Sequence, residues 1–133
     1  MFARPTVALL LALFIPLALA ELPPSAYETM QKNAPEHLEI EILRVDVEPG
    51  DAPERQNVRL MALVNSVSRT ASGLRSGDLI HIVYVITDRP SGWSGPGELK
   101  IPSEKDKSVA YLKKDAETSD FFPLAGVMSF QNF

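Results

Sequence analysis

Two histidines are the side chains best suited to acid–base chemistry in this cysteine-free chain of 133 residues. His81 lies within the apolar segment 79–87, where it alternates with aliphatic residues on one strand face. A catalytic base needs a nucleophile and an orienting group within reach, and no G-x-S-x-G turn surrounds Ser66 or Ser68. We therefore interpret His81 as a structural histidine, and we predict no catalytic residue and no enzymatic activity.

A second pattern with possible chemistry is the alternation of His37, Glu39 and Glu41 on one face of a predicted strand. Three such groups could bind a divalent cation. The alternative is a solvated strand face whose charges keep an edge soluble. We favour this alternative, because a single strand rarely supplies a whole coordination sphere. The absence of cysteine also excludes thiolate-bound zinc and iron–sulfur clusters, and we predict neither a metal site nor a cofactor.

The segment from Asp88 to Lys107 has no hydrophobic periodicity and is rich in glycine and proline. Unstructured loops of this length are uncommon in small domains and are often functional. The candidate residues for binding a ligand or partner are Arg89, Trp93, Gly95 and Pro96. Trp93 could anchor a partner, or it could cover one end of the domain as a lid. We favour the lid, because exposing tryptophan is unfavourable in a monomer.

The first twenty residues have the pattern of a signal peptide. Arg4 supplies the positive charge, Thr6 to Ile15 is the apolar core, and Ala18-Leu19-Ala20 has small residues at the cleavage positions. The apolar stretch is too short for a membrane span of about 20 residues. We therefore predict cleavage after Ala20, a periplasmic or secreted location, and no stable membrane span once the signal peptide at residues 1–20 has been removed.

Charge narrows the range of partners. The formal net charge is −4, and loss of Arg4 with the signal peptide would leave a still more acidic domain. Such a domain repels the phosphate backbone of nucleic acids and lacks the basic surface that anionic membranes attract. The sequence thus predicts no nucleic-acid partner. The partner is expected to be a protein or a small molecule whose identity stays open.

Residues 21–133 are predicted to form one mainly β domain. Ser25 is a candidate cap for a short helix that ends at Asn33. In the first strand the apolar residues change phase after Ile42, which is typical of a β-bulge. The third strand is apolar on both faces, which favours a strand covered on both sides. The predicted strands are residues 37–47, 58–69, 79–87, 108–113 and 121–133, the last kinked at Pro123 and Gly126.

Five strands, a bent first strand and a tight second connection predict a five-stranded, OB-like Greek-key barrel with a short N-terminal helix. The alternative, a seven-stranded sandwich, needs more strands than the chain offers. Arg69 and Asp78 flank the second connection, and their spacing would allow an ion pair across it.

Short motifs spread over the last half of the chain carry a resemblance to a known family. They are Val67-Ser68-Arg69-Thr70, Ser72-Gly73-Leu74, Gly77-Asp78-Leu79-Ile80, Val83-Tyr84, Gly92-Trp93, Gly95-Pro96, Val109-Ala110-Tyr111-Leu112, Phe122-Pro123-Leu124-Ala125 and Ser129-Phe130. With these motifs the chain resembles netrin/TIMP-like OB-fold modules, and more closely small exported bacterial proteins of unknown function. The resemblance implies a barrel that presents loops to a partner. It does not carry over the inhibition of metalloproteases by an N-terminal cysteine, because this chain has none.

These observations favour an exported, non-enzymatic binding or interaction module. Two alternatives stay open at this point: an inhibitor of an envelope enzyme, similar to protease inhibitors, and a structural protein of the cell envelope. An envelope enzyme would require His81 to meet a serine hydroxyl and a carboxylate in one pocket.

Overall fold

The computed structural model describes residues 22–88 and 98–133. Helix α1 spans Pro24–Asn33, and the strands are β1 (Glu36–Pro49), β2 (Arg55–Arg69), β3 (Leu79–Thr87), β4 (Lys107–Lys114) and β5 (Phe121–Pro123). A single turn of 3₁₀ helix, Gly126–Met128, follows β5. The prediction of a mainly β domain with five strands and a short N-terminal helix is confirmed. Within the described ranges no helix has both the length and the hydrophobicity that a bilayer span requires.

The five strands close into a barrel in the order β1-β2-β3-β5-β4, and β4 returns to β1. All neighbouring strands are antiparallel except β3 and β5, which run parallel where Ile82 pairs with Phe121. The β1–β2 hairpin closes tightly at Gly50, whose amide donates to the Arg55 carbonyl at 2.8 Å. A Cβ at position 50 would lie 2.9 Å from the Arg55 Cβ, so only glycine fits there without displacement.

The predicted bulge in β1 is confirmed. The pairing with β2 shifts register between Ile42 and Arg44, so Leu43 is the additional residue. Before the bulge, even-numbered residues face the interior; after it, Val45 packs against the core and Arg44 and Asp46 lie on the outside. A one-residue shift exchanges the two faces of a strand. The bulge therefore decides which β1 side chains form the outer surface.

One hydrophobic core fills the barrel. It contains Leu38, Ile40 and Ile42 of β1, Val58, Leu60, Ala62 and Val64 of β2, Ile80, Ile82 and Tyr84 of β3, Ala110 and Leu112 of β4, with Phe121 and Phe130. These residues alternate along β1, β2 and β3, as the period of a strand requires. Burial of this set from water is the main source of the stability of the barrel.

Two predicted element boundaries are wrong. The helix begins at Pro24 after Pro23, not with a capping Ser25, because proline suits the first turn, where amide groups have no helical partner. The fifth strand is limited to Phe121–Pro123 instead of extending to Phe133. Pro123 lacks an amide for further pairing, and Gly126 has a φ of +55° that starts the 3₁₀ turn. Beyond that turn, Phe130 makes one isolated bridge with Ala110.

The expectation that β3 is covered on both faces is also wrong. Its inner face lies in the core, but on its outer face Leu79 is 59% exposed and Val85 is 50% exposed. Nothing among the described residues packs over them as a second layer. This exposed strip is the first indication of a functional surface.

Candidate functional site

A groove on the outside of the barrel crosses β1, β2 and β3 and has a volume of about 570 Å³. We call it the outer groove. Its side chains on the outer face are Arg44, Asp46 and Glu48 of β1, Asn57 and Arg59 of β2, and Val83 and Val85 of β3. The strand that forms each wall thus has its own chemistry: β1 is charged, β2 is polar, and β3 is apolar.

Strand register arranges these side chains in rows across the sheet. In the strand register, Asp46 of β1 lies opposite Arg59 of β2, and Arg59 lies opposite Val83 of β3. Residues that pair across strands point to the same face with Cβ atoms about 4.5–5.5 Å apart. The next row has the same order, from a β1 carboxylate through the Asn57 amide to Val85. A bound group can therefore contact charge, a hydrogen-bonding side chain and an apolar surface within one row.

Arg59 is the main cation of the outer groove, and it already holds a carboxylate. Its two terminal nitrogens donate to the two carboxylate oxygens of Asp120 at 3.0 and 3.1 Å. Asp120 lies in the turn between β4 and β5, next to the groove in space but 61 residues away in sequence. The other arginine, Arg44, pairs with Asp46 at 3.1 Å on the exposed surface. Parallel donation from both nitrogens is the geometry by which arginine recognises carboxylates.

The predicted binding loop starts at the end of β3 beside the outer groove. Two hydrogen bonds hold the chain where this segment leaves β3. The Thr87 amide donates to the Glu98 carboxylate at 3.4 Å, and the Asp88 amide donates to the Glu54 carbonyl at 2.8 Å. The Tyr84 hydroxyl donates to the Lys100 carbonyl at 2.7 Å, and burial raises the pKa of this phenol, so it remains a donor. The candidate residues themselves, Arg89, Trp93, Gly95 and Pro96, lie outside the described residues.

His81 does not meet the requirements of a catalytic base in the described structure. It is half-buried on the outer face and pairs with Met61 of β2. Ser66 lies five positions further along β2, and Ser68 lies two positions beyond Ser66. Because each residue advances a strand by about 3.3 Å, neither hydroxyl is within hydrogen-bonding reach of His81.

On the outer face of β1, the side chains of His37, Glu39 and Glu41 have separate surroundings and do not form one site. The His37 ring stacks on Tyr111 with centroids 4.6 Å apart, and Glu41 lies 3.9 Å from the Lys107 ammonium. Among residues 22–88 and 98–133, no three histidine or acidic side chains are grouped closely enough to hold a metal ion. Glu39 itself points to solvent.

A buried carboxylate that the sequence did not reveal lies at the opposite end of β1. Glu36 is 1% exposed. It accepts hydrogen bonds from the Thr70 hydroxyl at 2.6 Å, the Ala71 amide at 2.9 Å and the Ser72 hydroxyl at 2.7 Å. These four residues are named the Glu36 cluster. It fixes the start of the β2–β3 connection to the start of β1, and its only sequence signal is the Thr-Ala-Ser triplet.

Arg69 does not pair with Asp78 as the spacing suggested. It instead donates to the carbonyls of Ala34 and Gln31 at 2.8 and 2.7 Å, at the C-terminal end of α1. The Asp78 carboxylate accepts from the Arg75 amide within its own turn. The partial negative charge at the C-terminal end of a helix attracts a cation, and Arg69 satisfies it.

Beside Arg69, a pocket of about 320 Å³ separates α1 from the barrel. Glu28, Gln31 and Lys32 line it from the helix, with His37, Arg69 and Tyr111 from the strands. Burial and the positive charge of Arg69 lower the pKa of His37, and the negative charge of Glu39 opposes this shift. His37 is therefore favoured in its neutral form, in which it packs on Tyr111 as a ring.

Compared with protein-family models, curated proteins and solved structures, the chain matches none. The case for function thus depends on the geometry of the outer groove. The sequence could have indicated its β1 wall, since Arg44, Asp46 and Glu48 alternate after the bulge. The contact between Arg59 and Asp120 could not be anticipated, because it depends on how the barrel closes.

Proposed function

We propose that this protein is an exported, non-enzymatic binding module that holds a partner protein in its outer groove. The observation that carries the proposal is the apolar surface of half-buried Val83 and exposed Val85 in the same groove as Arg59, the cross-strand neighbour of Val83. Exposed apolar strips bordered by polar groups are typical of interaction sites. The core residues of the barrel pack against one another, so the outer face is the better surface for recognition.

The fold supports this proposal. The strand order β1-β2-β3-β5-β4, with β3 and β5 parallel, fits an OB-like Greek-key barrel. Barrels of that type bind ligands on the face of their second and third strands, between neighbouring loops. The netrin/TIMP-like resemblance fits the same use of a barrel, as a frame that presents a surface to another protein. Nucleic acid is a poor candidate because the chain is acidic.

Export is part of the proposal and has a direct test. It is supported by Arg4, the apolar segment 6–15 and the Ala18-Leu19-Ala20 cleavage pattern. The intact mass of protein recovered from the periplasm or the medium should correspond to a chain that starts at Glu21. Full-length chain in the membrane fraction would contradict export.

The binding surface can be tested with two matched substitutions. Val85→Asp places a charge in the outer groove, and Ile101→Asp places the same charge at a residue of similar exposure, 41% against 50%, outside the groove lining. We expect proteins captured from envelope extract by the wild type to be retained by Ile101→Asp and lost by Val85→Asp. Circular dichroism checks that both variants are folded. Equal capture by both would contradict binding at the groove.

The same variants address the structural alternative. Leu79 is the most exposed large apolar side chain of the described residues, and it continues the strip of Val83 and Val85 along β3. If the strip serves self-association, the wild type sediments as an oligomer and Val85→Asp as a monomer. A monomeric wild type that loses its captured partner through Val85→Asp supports the binding module instead.

A further inference from the structure

The outer groove contains a cation whose present partner is an exchangeable one. The side chains of Arg59 and Asp120 are 47% and 23% exposed. Exposed ion pairs contribute little to stability, because water competes for both groups. A ligand carboxylate of similar geometry could therefore replace Asp120 on Arg59 at little cost.

The turn that carries Asp120 does not depend on this ion pair. The Asp115 amide donates to the Asp120 carbonyl at 2.8 Å, which closes the turn. The Asp115 carboxylate accepts from the Glu117 amide at 2.8 Å and from the Thr118 amide at 3.3 Å. The backbone of the turn is thus held by its own hydrogen bonds. The Asp120 side chain can leave Arg59 while the turn keeps its shape.

The spacing between Arg59 and the valines of the groove limits how far the carboxylate of a ligand can lie from its apolar group. Val83 is the cross-strand neighbour of Arg59, with Cβ atoms about 5 Å apart, so the apolar contact and the arginine side chain are adjacent in the groove. An acidic residue inside an extended peptide has its next side chain on the same face about 6.6 Å away. At the last residue of a chain, the distance between the carboxylate and the side chain is shorter, because both groups branch from the same Cα atom.

Charge and hydrogen bonding agree with a chain terminus. Of the other acids of the groove, Asp46 is paired with Arg44, and Glu48 repels a second negative charge on the ligand. The Asn57 side chain lies between Glu48 and Val85 in the strand register, and among residues 22–88 and 98–133 it has no hydrogen-bond partner, so its amide is placed to bind a peptide group. A single terminal carboxylate on an otherwise uncharged end satisfies these conditions.

We propose that the outer groove binds the C-terminal residue of a partner protein. The terminal α-carboxylate replaces Asp120 on Arg59, and an apolar terminal side chain packs on Val83 and Val85. Asp120 is then an internal substitute for the ligand, which occupies the cation until a partner arrives. This inference rests on the proposed function and adds the chemistry of the partner to it.

The test uses the purified protein and two synthetic probes: acetylated Ala-Ala-Val as the free acid, and the same peptide with a C-terminal amide. Amide resonances of Val83 and Val85, followed by NMR during titration, report binding at the groove. We expect the free acid to shift these resonances and the amide to bind at least tenfold more weakly. Arg59→Gln should remove this preference for the free acid.

Asp120→Asn tests whether the ligand carboxylate competes with Asp120 for Arg59. Removing the internal competitor should tighten binding of the free acid by roughly two- to fivefold, which corresponds to an exposed ion pair of up to ~1 kcal/mol. The matched control is Asp51→Asn, because Asp51 pairs with Arg55 at 3.4 Å on the same barrel but outside the groove. That variant should bind the probe as the wild type does.

The outcomes separate this inference from the proposed function. Equal affinity for the free acid and the amide would overturn recognition of the carboxylate, while leaving binding at the groove intact. Resonances that do not respond to either probe would also overturn it, and the proposed function would still be decided by the Val85→Asp experiment. Unchanged affinity in Asp120→Asn would overturn the role of Asp120 as an internal substitute.

Discussion

Two of the carboxylates that accept hydrogen bonds in this barrel, Glu36 and Asp120, lie in contrasting environments. Glu36 is 1% exposed and is bound by two hydroxyls and one amide. The Asp120 side chain is 23% exposed, and within the described part of the chain its carboxylate is bound by the Arg59 guanidinium. A buried ionised group is stable only when its hydrogen bonds are satisfied, whereas an exposed one can exchange partners with water.

The difference in solvent exposure between the two carboxylates determines how strong each contact is and what it can do. Charge attraction suggests that the ion pair of Arg59 should be the stronger contact, yet solvent reduces it. The Glu36 cluster has no arginine or lysine, but the accepting carboxylate is itself buried, so water competes little for it. The buried contact is therefore suited to fixing the fold, and the exposed contact is suited to exchange.

The largest effect is expected from Glu36→Ala. This change leaves the Ala71 amide without its acceptor and removes the acceptor shared by Thr70 and Ser72. We expect a loss of about 2–4 kcal/mol in the free energy of unfolding, measured by urea denaturation. Glu39→Ala, in the same strand but exposed, should stay within about 0.5 kcal/mol of the wild type.

If Glu36→Ala fails to fold, Glu36→Gln preserves the shape of the side chain and removes its charge. Its amide oxygen, in the position of Oε1, can still accept from the two hydroxyls, while its NH₂ group would face the Ala71 amide; the expected loss is therefore smaller, about 1–2 kcal/mol. A wild-type stability in both variants would contradict a structural role for the Glu36 cluster.

A smaller, pH-dependent effect on stability is expected at His37, which follows Glu36 in β1. Burial and Arg69 lower its pKa, so the folded protein binds fewer protons at this site than the unfolded chain, whose histidine titrates near 6.5. Its contribution to stability is complete above that pH and is lost as the pH falls through the lowered pKa of the folded state. The charged groups around it are Arg69, Glu39, and Glu28 and Lys32 of α1.

The measurement is the free energy of unfolding of the wild type and of His37→Asn between pH 7.5 and 5.5. In this range most carboxylates stay ionised in both states, so the histidine dominates the difference. The stability of the wild type should decline more steeply with falling pH than that of the variant. Parallel profiles would show that the environment of His37 does not disfavour its protonation.

The barrel itself could be predicted from the sequence because its signals are local. Alternation in β1 and β2 identified the buried residues, and the phase change after Ile42 identified the bulge. The length of β5 could not be predicted, because Phe121 to Phe133 is apolar enough for a strand and only backbone geometry at Pro123 and Gly126 ends it.

The candidate site was only partly predictable. The sequence predicted a binding segment directly after Thr87, and the exposed Val85 lies on the strand that ends at Thr87. Hydrophobicity alone, however, predicted that β3 would be covered on both faces, since a binding surface and a buried surface use the same side chains. Contacts such as Arg59 with Asp120 join distant parts of the chain, so they depend on the register of several strands.

The smallest effect on stability is expected where the proposed exchange takes place. A double-mutant cycle with Arg59→Gln, Asp120→Asn and the double variant isolates the coupling energy of the pair. We expect about 0–1 kcal/mol at low salt and less at high salt, because exposed charges are screened. A coupling of several kcal/mol would mean that Arg59 is tied to Asp120 as firmly as the Glu36 cluster is closed, and a ligand carboxylate could not then displace it. A weak coupling, together with tighter binding of the free-acid probe by Asp120→Asn, is the combination that an exchangeable contact requires.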